Sequence, residues 1–120
     1  MRVAITILML TFGLSAMAMD SAGKYAVWGV GSKACFTYSK DKKAGHGQKY
    51  RDYEMGYLTA YNRITPETYN ISGKMDLEAV DAWVGDFCKN KPMNSFEQAM
   101  TNFVHDHIKS RYRVAPLSSH

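Results

Sequence analysis

The two cysteines of this 120-residue chain constrain its fold more than any other feature. They are Cys35 and Cys88, and no third cysteine is left over. In an oxidising compartment, two cysteines with one possible pairing are typical of a disulfide. A metal site or a catalytic thiol is the alternative, but two cysteines so far apart lack the ligand spacing of a zinc site. We therefore predict a Cys35–Cys88 disulfide, which would enclose about half of the domain.

Residues 1–18 have the pattern of a cleavable secretory signal peptide. Arg2 precedes an apolar stretch of residues 3–14, and the small residues Ala16 and Ala18 precede the predicted cleavage point. The stretch is shorter than the roughly 20 residues that a membrane-spanning helix needs. An uncleaved anchor is the alternative. The pattern predicts export to the periplasm or out of the cell, with no membrane association after cleavage.

The charge of the chain is moderately basic, with 15 Lys and Arg against 11 Asp and Glu. The basic residues are densest in residues 39–47, where three lysines are followed by two glycines and a histidine. Such a cluster can mark a nucleic-acid site, but it is also typical of a solvated loop. Because exported proteins rarely meet nucleic acid, we favour the loop and predict no nucleic-acid partner.

Helical patterns in four segments predict an all-α fold, a small bundle of about four helices with one disulfide and an irregular N-terminal arm. Ser32 is a candidate N-cap for a first helix that carries Cys35 and ends before a loop of residues 40–47. The predicted organisation is a signal peptide at 1–18, an arm at 19–31, a helical domain at 32–113 and a flexible tail at 114–120.

The second helical segment carries four tyrosines on one face, at Tyr50, Tyr53, Tyr57 and Tyr61. Such a stripe is more often a core or interface face than a ligand-stacking surface. Gly56 lies inside this helix, where we expect it to allow the close approach of another element. Asn62 is a candidate C-terminal stop.

The third and fourth helices have the clearest boundary signals. Asp76 is a candidate N-cap before an apolar face that ends at Cys88. Ser95 and Gln98 form a capping box for the last helix, which we expect to run to about Arg111.

No catalytic or metal-binding constellation stands out in the sequence. His105 and His107 are two positions apart, so on a helix they would point about 200° apart and could not share one metal ion. The carboxyls of Asp52 and Glu54 are separated in the same way, whereas a glycosidase needs two carboxyls across a cleft. We therefore predict a protein that is not an enzyme and that has no catalytic residues, no metal and no cofactor.

The order of the cysteines and helices resembles the HdeA-type periplasmic proteins. The segments that carry the resemblance are 28–35, 56–62, 83–88 and 90–96. The resemblance implies a small helical domain in which one disulfide ties two helices together. The best-known members of that family are acid-stress chaperones, which are homodimers at neutral pH and bind unfolding proteins in acid. A similar layout occurs in immunity proteins that block cell-wall amidase toxins.

Two functions follow from this resemblance as hypotheses. The first is a periplasmic stress chaperone for unfolded clients, which binds through apolar surface exposed on dissociation or opening. Its candidate contact residues are Tyr53, Tyr57, Tyr61, Trp83, Phe96 and Phe103. The second is an immunity or inhibitor protein for a specific envelope protein, whose active site would be blocked by a fixed surface such as residues 40–46. A structural accessory of an envelope complex is a third possibility, with the tyrosine face as its interface.

Overall fold

The computed structural model describes residues 18–117, which form four α-helices. They are α1 (Cys35–Lys43), α2 (Gln48–Ile64), α3 (Leu77–Asn90) and α4 (Phe96–His107). Short 3-10 turns, Gly29–Ser32 and Ile108–Ser110, precede α1 and follow α4. Within these residues, β pairing is limited to two isolated bridges, and no strand forms. The predicted all-α fold is confirmed.

Apart from Ala18, the predicted signal peptide lies outside the described residues, as do residues 118–120 of the predicted tail. The described part of the tail is exposed, with Leu117 99% exposed. No helix between residues 18 and 117 is both long and apolar enough to cross a membrane.

The disulfide is present and joins the start of α1 to the end of α3. Cys35 and Cys88 are both buried. The rings of Tyr38, Tyr50 and Phe96 form a triangle in the core, with centroid separations of 4.8 to 5.0 Å. These aromatic rings belong to three different helices, so the triangle fixes α1, α2 and α4 against one another.

The predicted caps of α3 and α4 are confirmed. Asp76 Oδ1 accepts a hydrogen bond from the backbone N–H of Ala79 at 2.9 Å. Ser95 and Gln98 form the capping box, because each side chain accepts a hydrogen bond from the backbone N–H of the other residue. The expected end of α4 at about Arg111 is wrong, since the α-helix ends at His107 and continues only as a 3-10 turn.

The start and end of α1 differ from the sequence prediction. Ser32 is not its N-cap, since the Ser32 hydroxyl donates to a carbonyl of the preceding 3-10 turn. Instead, carbonyls of the α3–α4 loop accept hydrogen bonds from the first N–H groups of α1, Cys35 to Asn94 at 2.7 Å and Phe36 to Pro92 at 2.9 Å. The helix also extends to Lys43, so half of the predicted 40–47 loop is helical.

Two expectations for α2 are also wrong. The helix passes Asn62 and ends at Ile64. The Asn62 side chain instead accepts a hydrogen bond from the backbone N–H of Ile71 at 2.7 Å, which ties α2 to the loop before α3. Gly56 is exposed, and a Cβ built there meets nothing within 4 Å, so no element approaches it closely.

Replacing Gly56 with Ala is therefore expected to stabilise the domain. The new methyl group would fit without a contact, and Ala is favoured over Gly in a helix interior by about 0.5–1 kcal/mol. Urea unfolding of both proteins measures the difference, with an unchanged m-value expected.

Gly31→Ala is the matched control for this prediction. A Cβ at Gly31 would collide with the Tyr53 ring, so this change is expected to destabilise the domain. A destabilised Gly56→Ala variant would contradict the open environment described for Gly56.

Candidate partner-binding surfaces

The predicted tyrosine stripe forms one face of α2. Tyr50 is buried, and Tyr53, Tyr57 and Tyr61 are partly buried against the core. The Tyr53 and Tyr57 ring centroids are 5.9 Å apart, and those of Tyr57 and Tyr61 are 5.1 Å apart. The stripe is thus continuous with the core. This agrees with the sequence analysis, which favoured a core or interface face over a ligand-stacking surface.

The N-terminal arm partly covers this tyrosine face. The Tyr25 hydroxyl donates to Glu97 Oε2 at 3.0 Å, and the Tyr57 hydroxyl donates to Glu97 Oε1 at 3.2 Å. Gly31 lies so close to the Tyr53 ring that only a residue without a side chain fits there. The chain itself therefore occupies much of the surface that these tyrosines would offer to a partner.

The other predicted contact residues lie deeper. Phe96 and Phe103 are fully buried. Trp83 is partly buried, with its ring stacked on Phe87 at 5.7 Å and edge-on to Phe103 at 5.4 Å. Phe96 and Phe103 could meet a partner only if the domain opened, whereas Trp83 is partly accessible in the closed fold. The role of all three residues in binding stays a prediction.

Two carboxyl groups lie inside the bundle between α2 and α3. Glu54 is 0% exposed, and no N–H or O–H donor of residues 18–117 hydrogen-bonds to its carboxyl oxygens, which lie beside Asp81. Asp81 is 8% exposed and is well bonded. It accepts hydrogen bonds from the Tyr38 hydroxyl and from Lys42 Nζ, both at 2.8 Å. Both carboxyls are thus largely enclosed by the bundle.

The pKa values of these two carboxyls shift in opposite directions. Burial, together with the neighbouring Asp81, raises the pKa of Glu54 to about 9. Burial also acts to raise the pKa of Asp81. The hydrogen bonds that Asp81 accepts from Lys42 and Tyr38 outweigh this effect of burial, so the pKa of Asp81 lies below its ordinary value. At neutral pH the pair is therefore one neutral acid and one carboxylate.

A lysine-lined groove lies between α1 and α3, and it includes Lys40, Lys42 and Lys43 of the predicted 40–46 surface. The sequence analysis missed that this segment forms a groove with α3. Two adjoining depressions share Ser39, Lys43 and Lys89 and form this groove. Its remaining lining residues are Phe36, Tyr38, Lys40, Lys42, Gly85, Cys88 and Pro92. The lining thus contains four lysines and no carboxylate. We call this feature the α1–α3 groove.

The signal for this groove is present in the sequence. Phe36, Ser39, Lys40 and Lys43 have the spacing of one helical face, at positions i, i+3, i+4 and i+7. The pattern was missed because residues 40–47 were predicted to be a loop, in which helical spacing has no meaning.

The two histidines of α4 lie in different surroundings. His105 is exposed beside Asp106, whereas His107 Nδ1 lies 2.7 Å from the Phe103 carbonyl oxygen and its ring stacks on Phe103. Across the described range 18–117, no group of three His, Cys, Asp or Glu side chains could hold a metal ion.

Comparison of the chain with family models, with curated proteins and with solved structures gave no match. The resemblance to the HdeA-type proteins therefore enters below only as part of a proposal.

Proposed function

We propose that this chain is an exported, non-enzymatic protein-binding domain that engages a specific envelope protein in its folded state, as an immunity or inhibitor protein does. The observation that carries the proposal is the α1–α3 groove, which combines exposed apolar side chains with three lysines that have no salt-bridge partner among residues 18–117. Phe36 is 63% exposed in this groove, and Met93, which follows the lining residue Pro92 in the chain, is 88% exposed. Apolar surface rimmed by charge is typical of protein-binding sites.

The disulfide supports both the export and the native-state binding in this proposal. Disulfides persist in oxidising compartments such as the periplasm, which fits the predicted signal peptide. The bond also ties α1 to α3, the two walls of the groove. A preformed groove loses little conformational entropy when a partner binds.

Photo-crosslinking at neutral pH tests this proposal. A photoreactive amino acid at Phe36 is expected to crosslink the mature protein to one envelope protein of the producing cell. Ile64 is a matched control, because it is 69% exposed and lies outside the groove. Equal crosslinking from both positions, or none from Phe36, would argue against native-state binding at the groove.

The second candidate function is an acid-stress chaperone of the HdeA type. One observation favours it: two carboxylates with lowered pKa values accept hydrogen bonds from buried tyrosines. Asp81 accepts one from Tyr38, and Asp41 accepts one from Tyr50. Such carboxylates stabilise the fold above their ordinary pKa, and this stability is lost as the pH falls through their lowered folded-state values. Opening would then begin below about pH 4 and expose the aromatic triangle.

An acid titration separates the two candidates. We expect the domain to stay closed at pH 5 and to give no protection against client aggregation there. If it opens below about pH 4 and then keeps an aggregation-prone client in solution, the chaperone function is supported. If it opens without protecting the client, or does not open, the chaperone proposal fails and native-state binding remains.

A further inference from the structure

We infer that the α1–α3 groove binds an acidic segment of the partner protein, with an apolar side chain of that segment on Phe36 and Pro92 and its carboxylates on Lys40, Lys43 and Lys89. The inference rests on the proposed function and adds the chemistry of the partner. The groove is concave, charged on its rim and apolar on its floor, so both parts of such a segment have a matching surface.

Three of the four lysines of the groove have no salt-bridge partner among residues 18–117. Lys42 is the exception, because its ammonium lies 2.8 Å from Asp81. No salt bridge joins Lys40, Lys43 or Lys89 to any carboxylate of residues 18–117. Three ammonium groups around one groove repel one another, and carboxylates of a bound segment would relieve that repulsion.

The floor of the groove is apolar and held in place. Phe36 lies at the start of α1 and Pro92 lies just after the end of α3, and the Phe36 N–H donates to the Pro92 carbonyl at 2.9 Å. Cys88 of the disulfide is also part of the lining. A partner side chain placed here would bury the exposed face of Phe36, which favours an apolar residue in the bound segment.

The mixed surface favours a protein over a nucleic acid as the occupant. Nucleic-acid sites need many phosphate contacts and extended basic surface. The groove instead has one exposed aromatic ring, that of Phe36, and three lysines without a salt-bridge partner among residues 18–117. A short acidic and apolar segment matches both features.

The test uses the mature disulfide-bonded protein and a labelled peptide of alternating Glu and Leu. We expect saturable binding by fluorescence polarisation, mapped by NMR to the groove and weakened by salt as exposed charge pairs are. Peptides of alternating Lys and Leu, or Glu and Ser, are expected to bind at least about 10-fold more weakly. A single-stranded oligonucleotide that binds the groove more tightly than the Glu–Leu peptide would overturn the inference.

Two matched sets of variants locate the site. The triple variant Lys40→Glu, Lys43→Glu, Lys89→Glu is expected to weaken peptide binding at least about 10-fold. The control is Lys24→Glu, Lys74→Glu, Lys109→Glu, with the same net charge outside the groove, and its binding is expected to change less than about 2-fold. Equal losses in both triples would show a response to net charge alone and overturn the inference.

Phe36→Ala and Ile64→Ala test the apolar floor in the same assay. We expect only the first to weaken binding of the Glu–Leu peptide, with little effect on the Glu–Ser peptide. If no acidic peptide binds but Phe36 still crosslinks to an envelope protein, the inference about partner chemistry fails while the proposed function stands. If Phe36 crosslinks to no envelope protein but the peptide binds as described, the proposed function fails, while the preference of the groove for an acidic and apolar segment stands.

Discussion

Removal of the disulfide, by Cys35→Ala with Cys88→Ala, is expected to lower the free energy of unfolding by about 4 kcal/mol. The bond links residues 53 positions apart, so its loss frees a long loop in the unfolded chain. Because a domain of this size has only about 5–15 kcal/mol of stability, the change removes a large share of it. Urea unfolding followed by circular dichroism measures the loss.

The same change should also weaken peptide binding at the α1–α3 groove. Cys88 lines it and the bond joins its two walls, so the double variant is expected to bind the acidic peptide more weakly even where it is fully folded. Reduced wild-type protein serves as the control, because it lacks the bond but keeps both side chains. A loss of stability under about 1 kcal/mol in both proteins would contradict the structural importance of the bond.

Glu54→Gln is expected to remove most of the pH dependence of stability between pH 5 and pH 8. The ordinary Glu pKa is 4.5, and burial raises the pKa of Glu54 to about 9 in the fold. Between these values the native state binds a proton that the unfolded state releases, so stability falls as the pH rises. The contribution of Glu54 is thus fully present in mild acid and is lost towards pH 9.

The uncharged amide of Gln titrates nowhere in this range. We expect the wild-type protein to gain stability from pH 8 to pH 5 and the variant to gain at least about 2 kcal/mol less, with the variant more stable at pH 8. Denaturant unfolding at several pH values measures both slopes. Glu78→Gln, at an exposed carboxyl of α3, is the control. A variant with the wild-type slope would show that Glu54 is ionised in the fold.

These pH effects bear on the choice between the two candidate functions. Glu54 makes the fold more stable as the pH falls into mild acid. Asp41 and Asp81 make it less stable only when the pH falls below their ordinary pKa of 3.8. Stability should therefore peak in mild acid and fall on both sides. A chaperone built on this fold would respond to strong acid only.

Local signals in the sequence predicted the helices well. The Asp76 cap and the Ser95–Gln98 box depend on residues three positions apart, and the apolar faces of α3 and α4 depend on the helical period. The disulfide was predictable because two cysteines allow one pairing. Prediction was weaker for α1, where the expected Ser32 cap and the expected end before residue 40 were both wrong.

The tertiary structure decided which groups meet across long separations. The first N–H groups of α1 bond to the Pro92 and Asn94 carbonyls, so no local cap is needed and the sequence offers no sign of it. Burial of Glu54 was equally hidden, because a carboxyl on a helix is expected to face water until the neighbouring helix is placed.

The candidate binding surfaces also combine features that the sequence determines with features that depend on tertiary packing. The sequence by itself determined the tyrosine stripe of α2 and the lysine spacing of α1, since both follow from positions along one helix. Only the packed structure decided that the arm covers the tyrosines through Tyr25 and Gly31, and that the lysines face Lys89 across a groove. The physical reason is that helical periodicity acts over one or two turns, whereas burial and charge pairing depend on segments that are far apart in the chain.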